Sequence, residues 1–332
     1  MSKPAAALHK DGVVLLRNVL SDSTLDKARD IANTHFSELL RALLLQQVLR
    51  LQEGRPPMPT RFAELVERDG GRLDVRHAAG DDLFQTILDL AGPELRDVLV
   101  SALGSDCEVV AAGNVVAMSI QGWIEAGLAE DDEASDVVMA DHLGAQAWHA
   151  DGPHLFDADV QLPPHAMTVF FPLIDLTNDN GPTEFCHGSH VRGREYAGGE
   201  SDAARATRIP LARAGDAIIF DYRVWHRGTP NHSLVDRPVL YMVVARKWWL
   251  DSRNYNQDTS LASIFSSSDA AQEARSGSTS TSHALHTQLQ RVPLLRSRSD
   301  QGVQGSLSRR NDDAQQHQQS RRSTRSGKRV RE

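Results

Sequence analysis

The chain has 332 residues, enough for one large domain or two ordinary ones, and its formal net charge is −8. The charge is unevenly spread, because residues 257–332 carry 12 Lys/Arg against 7 Asp/Glu, a net of +5 that leaves −13 for residues 1–256. An acidic body argues against a nucleic-acid-binding domain, and only the basic tail leaves weak nucleic-acid binding or nuclear import open.

The sequence carries no sign of a membrane span or of a secretory signal. No run of about 18 apolar residues occurs, and the N-terminal stretch MSKPAAALHKDG lacks an apolar h-region. The two cysteines, Cys107 and Cys186, cannot build a disulfide framework, which is typical of a reducing compartment. We therefore expect a cytoplasmic protein, and the sequence leaves its oligomeric state open.

The first predicted elements are a short buried strand within residues 11–20 and a long amphipathic helix over 21–52. The strand is rich in Val and Leu, and the helix has Ser and Asp as N-cap candidates and apolar residues at helical spacing. Two shorter helices are predicted over 82–90 and 93–103, the second with Pro93 in its first turn.

The chain then changes to β-rich runs separated by Gly, Pro, Asn and Asp, over residues 107–120, 136–140, 166–176, 207–212, 215–225 and 237–249. Many short strands joined by turns are typical of a sandwich, barrel or jelly roll. Because the helices come first in the chain and the strands second, we predict one mainly β domain with a helical flank (α+β) over residues 1–256. The helical flank would span about 8–105 and the β core about 106–250. The Ser-, Gln- and Arg-rich segment 257–332 cannot bury enough apolar area to offset its ordering entropy, so we predict a disordered tail.

A candidate metal site begins with a His-x-Asp pair. Two such pairs occur, His9 with Asp11 and His149 with Asp151, which is about the number that chance predicts. His9 lies near a terminus that we expect to be frayed, without supporting context. In a strand, residues i and i+2 point the same way, so His149 and Asp151 can face one point. His226, at the end of a strongly β run, is placed to supply a third ligand.

Two imidazoles and one carboxylate on one face of a metal are the ligands of non-haem Fe(II), and they leave positions open for substrate and oxygen. Arg237 follows His226 by 11 residues and offers a planar fork for a carboxylate. The rival pair Asp141 and His142 lies in a sequence typical of a loop. Gln146 is a weak candidate for a cosubstrate contact, and Asn114 for a pocket residue.

Three segments, WHAD (148–151), NGPTEFCHGSH (180–190) and GDAIIFDYRVWHRG (215–228), together with Arg237 resemble the phytanoyl-CoA dioxygenase family of Fe(II)/2-oxoglutarate-dependent dioxygenases. The stretch DGVVLLRNVLS also resembles the opening strand of the family, so the resemblance covers about residues 8–250. It implies a double-stranded β-helix, a jelly-roll or cupin-like core, with iron at its open end.

The resemblance also implies roles for individual residues. His149, Asp151 and His226 would be the catalytic metal ligands, and Arg237 would hold the distal carboxylate of 2-oxoglutarate. The cofactors implied are Fe(II), 2-oxoglutarate and O2, with ascorbate in support. Family members commonly place Ser or Thr two residues after the distal histidine, where this chain has Gly228.

We expect hydroxylation of a C–H bond of a small organic substrate, with oxidative decarboxylation of 2-oxoglutarate to succinate and CO2. Asp151 favours hydroxylation over halogenation, because related halogenases leave that ligand position empty for chloride. The same scaffold could instead catalyse desaturation, epimerisation or ring closure. A different class, a catalytically inactive β-barrel binding module with a basic tail, is disfavoured by the intact set of His149, Asp151, His226 and Arg237.

Overall fold

Helices dominate the N-terminal part of the chain in the computed structural model. The helices are α1 Lys3–Asp11, α2 Asp22–Gln52, α3 Pro93–Leu103 and α4 Ile120–Glu125. The long α2 confirms the predicted helix, and its N-cap Ser21 accepts a hydrogen bond from the backbone N–H of Thr24. The prediction of a frayed terminus was wrong, because α1 buries Leu8 against the core and ends at Gly12, whose φ of 75° suits glycine.

The structure describes residues 2–54, 61–77, 87, 91–125, 144–156, 160–191, 193, 207–251, 254 and 260–261. These residues fall within one unit of the chain, Met1–Ser282. The predicted helix over 82–90, apart from Ile87, and the β run over 136–140 lie outside the described residues, as does the predicted tail apart from residues 260–261. The domain boundary after residue 256 therefore stays a prediction.

The strands of the described residues are β1 Val13–Leu16, β2 Leu65–Arg68, β3 Arg72–Arg76, β4 Cys107–Ala117, β5 Ala166–Pro172, β6 Thr183–Cys186, β7 Thr207–Arg208, β8 Ala217–Asp221, β9 His226–Gly228 and β10 Arg237–Arg246. They form a seven-stranded sheet in the order β1-β8-β5-β10-β4-β3-β2 and a three-stranded sheet in the order β7-β6-β9. Every strand pair is antiparallel.

The two faces of the large sheet have different partners. Leu240 and Met242 of β10 lie on the face that packs with α2 and α3, in one cluster with Leu95. On the opposite face, Phe220 packs against Phe185 of the small sheet, with ring centroids 5.0 Å apart. Two facing antiparallel sheets with helices on the outside form the double-stranded β-helix, which confirms the predicted mainly β fold with a helical flank.

The sequence patterns missed or misplaced several strands. The hairpin of β2 and β3 and the strand β6 were not predicted, and the run over 207–212 contains only the two-residue strand β7. The run over 215–225 ends as strand at Asp221, so His226 begins β9 of the other sheet instead of ending that run. Among the described residues, no helix has both the length and the apolar character needed to cross a bilayer, and the cytoplasmic location stays a prediction.

Candidate metal centre

Three side chains converge between the two sheets, at one end of β9. His149 and His226 form an isolated antiparallel bridge, in which His149 N–H donates to His226 at 3.0 Å and His226 N–H to His149 at 2.8 Å. Directly opposed residues put their side chains on one face, and the two ring centroids are 4.4 Å apart. One ligand atom from each of His149, Asp151 and His226 lies within 4.8 Å of the other two. Asp151 lies in a bend, so it reaches this point through the bend and not through strand alternation.

Both imidazoles are oriented by backbone carbonyls two residues earlier. His149 Nδ1 lies 2.9 Å from the carbonyl oxygen of Ala147, and His226 Nδ1 lies 3.0 Å from that of Val224. A ring nitrogen that faces a carbonyl oxygen carries the proton and donates it, which leaves the Nε2 lone pair free. Both Nε2 atoms are therefore available as metal ligands, and His226 Nε2 lies 3.6 Å from Asp151 Oδ1.

Asp151 and the glycine after it are held by three contacts. Thr168 of β5 donates its hydroxyl to Asp151 Oδ2 at 2.9 Å, which leaves Oδ1 facing the histidines. Asn254 donates its amide to the backbone oxygen of Asp151 at 2.9 Å. The next residue, Gly152, lies against the ring of Tyr222, and a Cβ there would overlap the ring. The carboxylate is thus positioned by contacts from β5 and from the chain beyond β10.

The electrostatics of the site suit a divalent cation. Burial lowers the pKa of His226 to about 4, despite the opposing effect of the Asp151 carboxylate, so the imidazole is neutral at neutral pH. His226 is buried, whereas Asp151 and His149 are partly exposed. The site is therefore closed on the side of β9 and open on the side of the loop that carries Asp151. Two imidazoles and one carboxylate fit the donor set of a non-haem iron centre.

Arg237, the first residue of β10, is buried, with 3% of its surface exposed. It donates to the carbonyl of Gly181, in the NGPT motif, at 2.7 Å. Its Nε has no hydrogen-bond partner in the described part of the chain. Burial lowers the pKa of Arg237 to about 9, and the neighbouring guanidinium of Arg72 contributes to the same shift.

Arg72 of β3 was not predicted as a site residue. Its guanidinium occupies the space beside Gly228, where an added Cβ would overlap it. The Gly70-Gly71 pair before Arg72 indicates a turn but no role for the arginine, and the missing side chain at position 228 was the signal that pointed to the site. Gln146 accepts the backbone N–H of Gly228 at 3.0 Å, so its side chain supports β9.

Two other candidates have a different outcome. Asn114 pairs with Leu240, on the face of the sheet that packs on the helices, so it does not face the metal centre. The rival pair Asp141 and His142 lies outside the described residues.

In the CHGSH motif, Ser189 donates to the carbonyl of Cys186 at 2.6 Å and accepts the N–H of Trp225 at 2.9 Å. This motif therefore fixes the turn that leads into His226.

The fold and the donor set define a non-haem oxygenase. Comparison with known proteins places the chain within this class. It belongs to the phytanoyl-CoA dioxygenase (PhyH) family, whose profile matches residues 8–239. The resemblance seen in the motifs is thereby confirmed. Iron and 2-oxoglutarate are the metal and the cosubstrate of such a centre.

Individual relatives are distant. The chain is 33% identical over 88 residues to "Dioxygenase easH" of Epichloe festucae var. lolii, which covers 26% of this chain and 46% of that protein. The match thus spans less than half the length of this curated relative. Among solved structures, the "non-heme alpha ketoglutarate dependent epimerase SnoN from nogalamycin biosynthesis" is 18% identical over 74% of this chain and 82% of its own, with a TM-score of 0.47. AviO1 from Streptomyces viridochromogenes Tue57 is 17% identical over 75% of this chain and 96% of its own, with a TM-score of 0.46.

Proposed function

We propose that the protein is an Fe(II)/2-oxoglutarate-dependent dioxygenase that hydroxylates a C–H bond of a small organic substrate and converts 2-oxoglutarate to succinate and CO2. The convergence of His149, Asp151 and His226 carries this proposal, because their ligand atoms lie within 4.8 Å of one another. These three residues would hold Fe(II), and Arg237 would receive the distal carboxylate of 2-oxoglutarate. When bound, the iron supplies the activation of O2, with ascorbate to keep it reduced.

The residues of the chain would orient the metal and the cosubstrate. Carbonyls behind both imidazoles and the Thr168 hydroxyl behind Asp151 hold the ligands before a metal arrives. Such partners raise metal affinity because less orientation is lost on binding. The Asp151 carboxylate would occupy the third position that the protein provides on the metal. This supports hydroxylation over halide transfer, because a halide would need that position.

Arg237 has the properties of a carboxylate receptor. A buried guanidinium is unfavourable without an anion, and one of its N–H groups has no hydrogen-bond partner among the described residues. A carboxylate would accept from two N–H groups at once and would neutralise the charge. Desaturation, epimerisation and ring closure would use the same ligands and the same cosubstrate, so only the identity of the product separates them from hydroxylation.

Turnover of the full-length protein tests the proposal. With Fe(II), ascorbate and O2, the wild type should convert 2-oxoglutarate to succinate, slowly alone and faster with a substrate from a library of lipids, amino acids and small metabolites. Asp151→Ala should abolish succinate formation, whereas the matched control Asp179→Ala, at an exposed acid, should not. The proposal fails if the wild type neither binds Fe(II) nor consumes 2-oxoglutarate with any member of the library.

The role of Arg237 has its own test. Arg237→Leu should raise the KM for 2-oxoglutarate far more than the Kd for Fe(II), because the substitution removes the proposed contact to the cosubstrate and the hydrogen bond to Gly181 but none of the three metal ligands. Arg208→Leu, at an exposed arginine of β7, is the matched control and should change neither constant. Unchanged KM and unchanged iron affinity in Arg237→Leu would remove this residue from the site.

A further inference from the structure

Gly228 lies at a position where the backbone does not demand glycine. It is absent from the glycines with positive φ, so a residue with a side chain could adopt its conformation. A Cβ at this position would nevertheless overlap the guanidinium of Arg72. Position 228 can therefore carry a side chain only if Arg72 moves from its present place. The chain lacks the Ser or Thr expected two residues after His226, and an arginine from β3 occupies that space.

The sheet register brings Arg72 next to Arg237. Arg72 pairs with Ala117 from one side of β4, and Arg237 pairs with the same Ala117 from the other side. Residues in register share a face, and their backbones lie two strand spacings apart, roughly 10 Å. The long side chains of both arginines can bridge much of this distance over the small Ala117. The effect of Arg72 on the pKa of Arg237 agrees with this proximity.

The two guanidinium groups are buried together without a counter-ion in the part of the chain that the structure describes. Arg72 is 2% and Arg237 is 3% exposed. Arg72 donates to the carbonyl of Gly70 at 2.7 Å and to that of Thr229. No carboxylate of a described residue forms an ion pair with either arginine, since Asp74, on the same face of β3, pairs with other arginines.

Two buried like charges are unfavourable until an anion joins them. Burial lowers the pKa of Arg72 to about 10, because the charged guanidinium loses its contact with water. Carbonyl oxygens satisfy some of the N–H groups but supply no negative charge. A ligand with a carboxylate at this point would supply it, and 2-oxoglutarate carries two carboxylates.

We infer that Arg72 is a second binding residue for the distal carboxylate of 2-oxoglutarate, in place of the hydroxyl that Gly228 cannot provide. Arg237 and Arg72 then receive one carboxylate between two guanidinium groups. The inference rests on the proposed function, in which 2-oxoglutarate is the cosubstrate. It also gives Arg72 a role in selectivity, because a 2-oxo acid without a distal carboxylate would leave both charges uncompensated.

Binding of 2-oxoglutarate to the full-length protein tests the inference without turnover. The protein is loaded with Fe(II) under anaerobic conditions, and 2-oxoglutarate is titrated by calorimetry and by the charge-transfer absorption of its iron chelate. Arg72→Met should raise the Kd for 2-oxoglutarate by about 10- to 100-fold, as the loss of a hydrogen bond to a charged group predicts. The Kd for Fe(II) should change less than about twofold, because Arg72 contacts none of the three ligands. Arg208→Met, at the exposed arginine of β7, is the matched control.

Two further variants separate binding from folding. Arg72→Lys keeps the charge and the long stem and should show a smaller rise in Kd than Arg72→Met. The double variant Arg72→Ala/Gly228→Ser places a hydroxyl in the space that the guanidinium leaves, and it should bind 2-oxoglutarate more tightly than Arg72→Ala alone. The melting temperature of each variant without 2-oxoglutarate reports on folding, since a residue that only clamps Gly70 to Thr229 would change stability and leave the Kd alone.

The outcomes distinguish this inference from the proposed function. If the wild type binds 2-oxoglutarate and Arg237→Leu loses it, while Arg72→Met and Arg72→Lys bind it as the wild type does, Arg72 is a structural clamp and the inference is overturned. An unchanged Kd for 2-oxoglutarate with a raised KM for an acidic substrate would assign Arg72 to the substrate, and it also overturns the inference. If the wild type itself does not bind 2-oxoglutarate, the proposed function fails.

Discussion

The hydrogen bond from the Thr168 hydroxyl to Asp151 can be removed with little other change, which tests how far this bond orients the Asp151 carboxylate. Thr168 lies in β5, an inner strand of the large sheet, in register with Phe220 of β8 and Val243 of β10, and is 3% exposed. It donates to Asp151 Oδ2 at 2.9 Å. Thr168→Val replaces the hydroxyl by a methyl group of similar size, so the packing of the sheet is kept and only the hydrogen bond to Asp151 is lost.

The size of the effect follows from the kind of bond. A hydrogen bond to a charged group contributes about 1.5–3 kcal/mol, and partners behind metal ligands are worth about 10- to 100-fold in metal affinity, or about 1.4–2.7 kcal/mol. Both ranges agree, so Thr168→Val should raise the Kd for Fe(II) by about 10- to 100-fold. Succinate formation at limiting Fe(II) should fall in proportion, and saturating Fe(II) should restore much of it.

Metal binding and stability are measured on the same samples. Fe(II), or Mn(II) as an air-stable probe, is titrated by calorimetry, and chemical denaturation of the metal-free protein reports the free energy of unfolding. Thr168→Ser is the matched control, because it keeps the hydroxyl and loses only a methyl group, and its metal Kd should stay within about threefold of the wild type. A metal Kd of Thr168→Val within twofold of the wild type, with a native fold, would refute the positioning of Asp151 by Thr168.

Three further predictions concern His165, Asn254 and the C-terminal segment. Burial lowers the pKa of His165 from 6.5 to about 4, so the unfolded chain binds a proton at a higher pH than the folded protein and stability is lost as the pH falls from 6.5 towards 4. The free energy of unfolding of the wild type should therefore decrease between pH 7 and pH 5, and His165→Phe should make this decrease about 2 kcal/mol smaller in denaturation experiments. Asn254→Leu removes the amide that donates to the Asp151 backbone and should weaken Fe(II) binding less than Thr168→Val, in the same calorimetric titration, because the carboxylate keeps its own partner; a larger effect would contradict this order. Leu261 is 1% exposed, so a chain that ends at Asn256 should be about 1.5–3 kcal/mol less stable than one that is ten residues longer. Both chains should keep their turnover of 2-oxoglutarate. Equal free energies of unfolding would show that the segment after Asn256 contributes nothing to stability.

Local chemistry was sufficient to predict the long helix and its start. The predicted helix over 21–52 matches α2 at Asp22–Gln52, and the helix over 93–103 matches α3. Both have a cap or a proline at the start and apolar residues on one face, which are local signals. The opening strand β1 and the strand β10 were also predicted, because their Val- and Leu-rich sequences have few other ways to be buried.

The hairpin of β2 and β3 was missed because its inner face is charged. The turn at Gly70 and Gly71, with φ of 72° and 66°, is a recognisable hairpin signal. The strand that follows is buried at every position, including Arg72, Asp74 and Arg76. Charged residues are usually exposed, so the alternation of such a strand does not predict which face is buried. Arginines that face a site are the exception that a hydrophobic pattern cannot detect.

The candidate ligands converge as the motifs suggested, although their roles stay predictions. The sequence showed that a hydroxyl was missing at Gly228, but not which group takes the space. That group, Arg72, donates to the backbone of Thr229, 157 residues away in the chain. Its proximity depends on the register of β3, β4 and β10, which is a property of the folded sheet and not of any local pattern.

The position of the candidate ligands on separate elements links metal binding to the assembly of the fold. His226 belongs to the small sheet, Asp151 is held by Thr168 of the large sheet, and His149 is placed by its bridge to His226. In the unfolded chain His226 is separated from Asp151 by 75 positions, so a metal bound by all three groups stabilises the folded state alone, by RT ln(1 + [metal]/Kd). The same reasoning applies to Arg72 and Arg237, whose repulsion opposes folding of the unliganded protein and is relieved by a carboxylate. Metal and cosubstrate thus act on one folding equilibrium, and because 2-oxoglutarate would also coordinate the bound metal, each should raise the melting temperature more when the other is present.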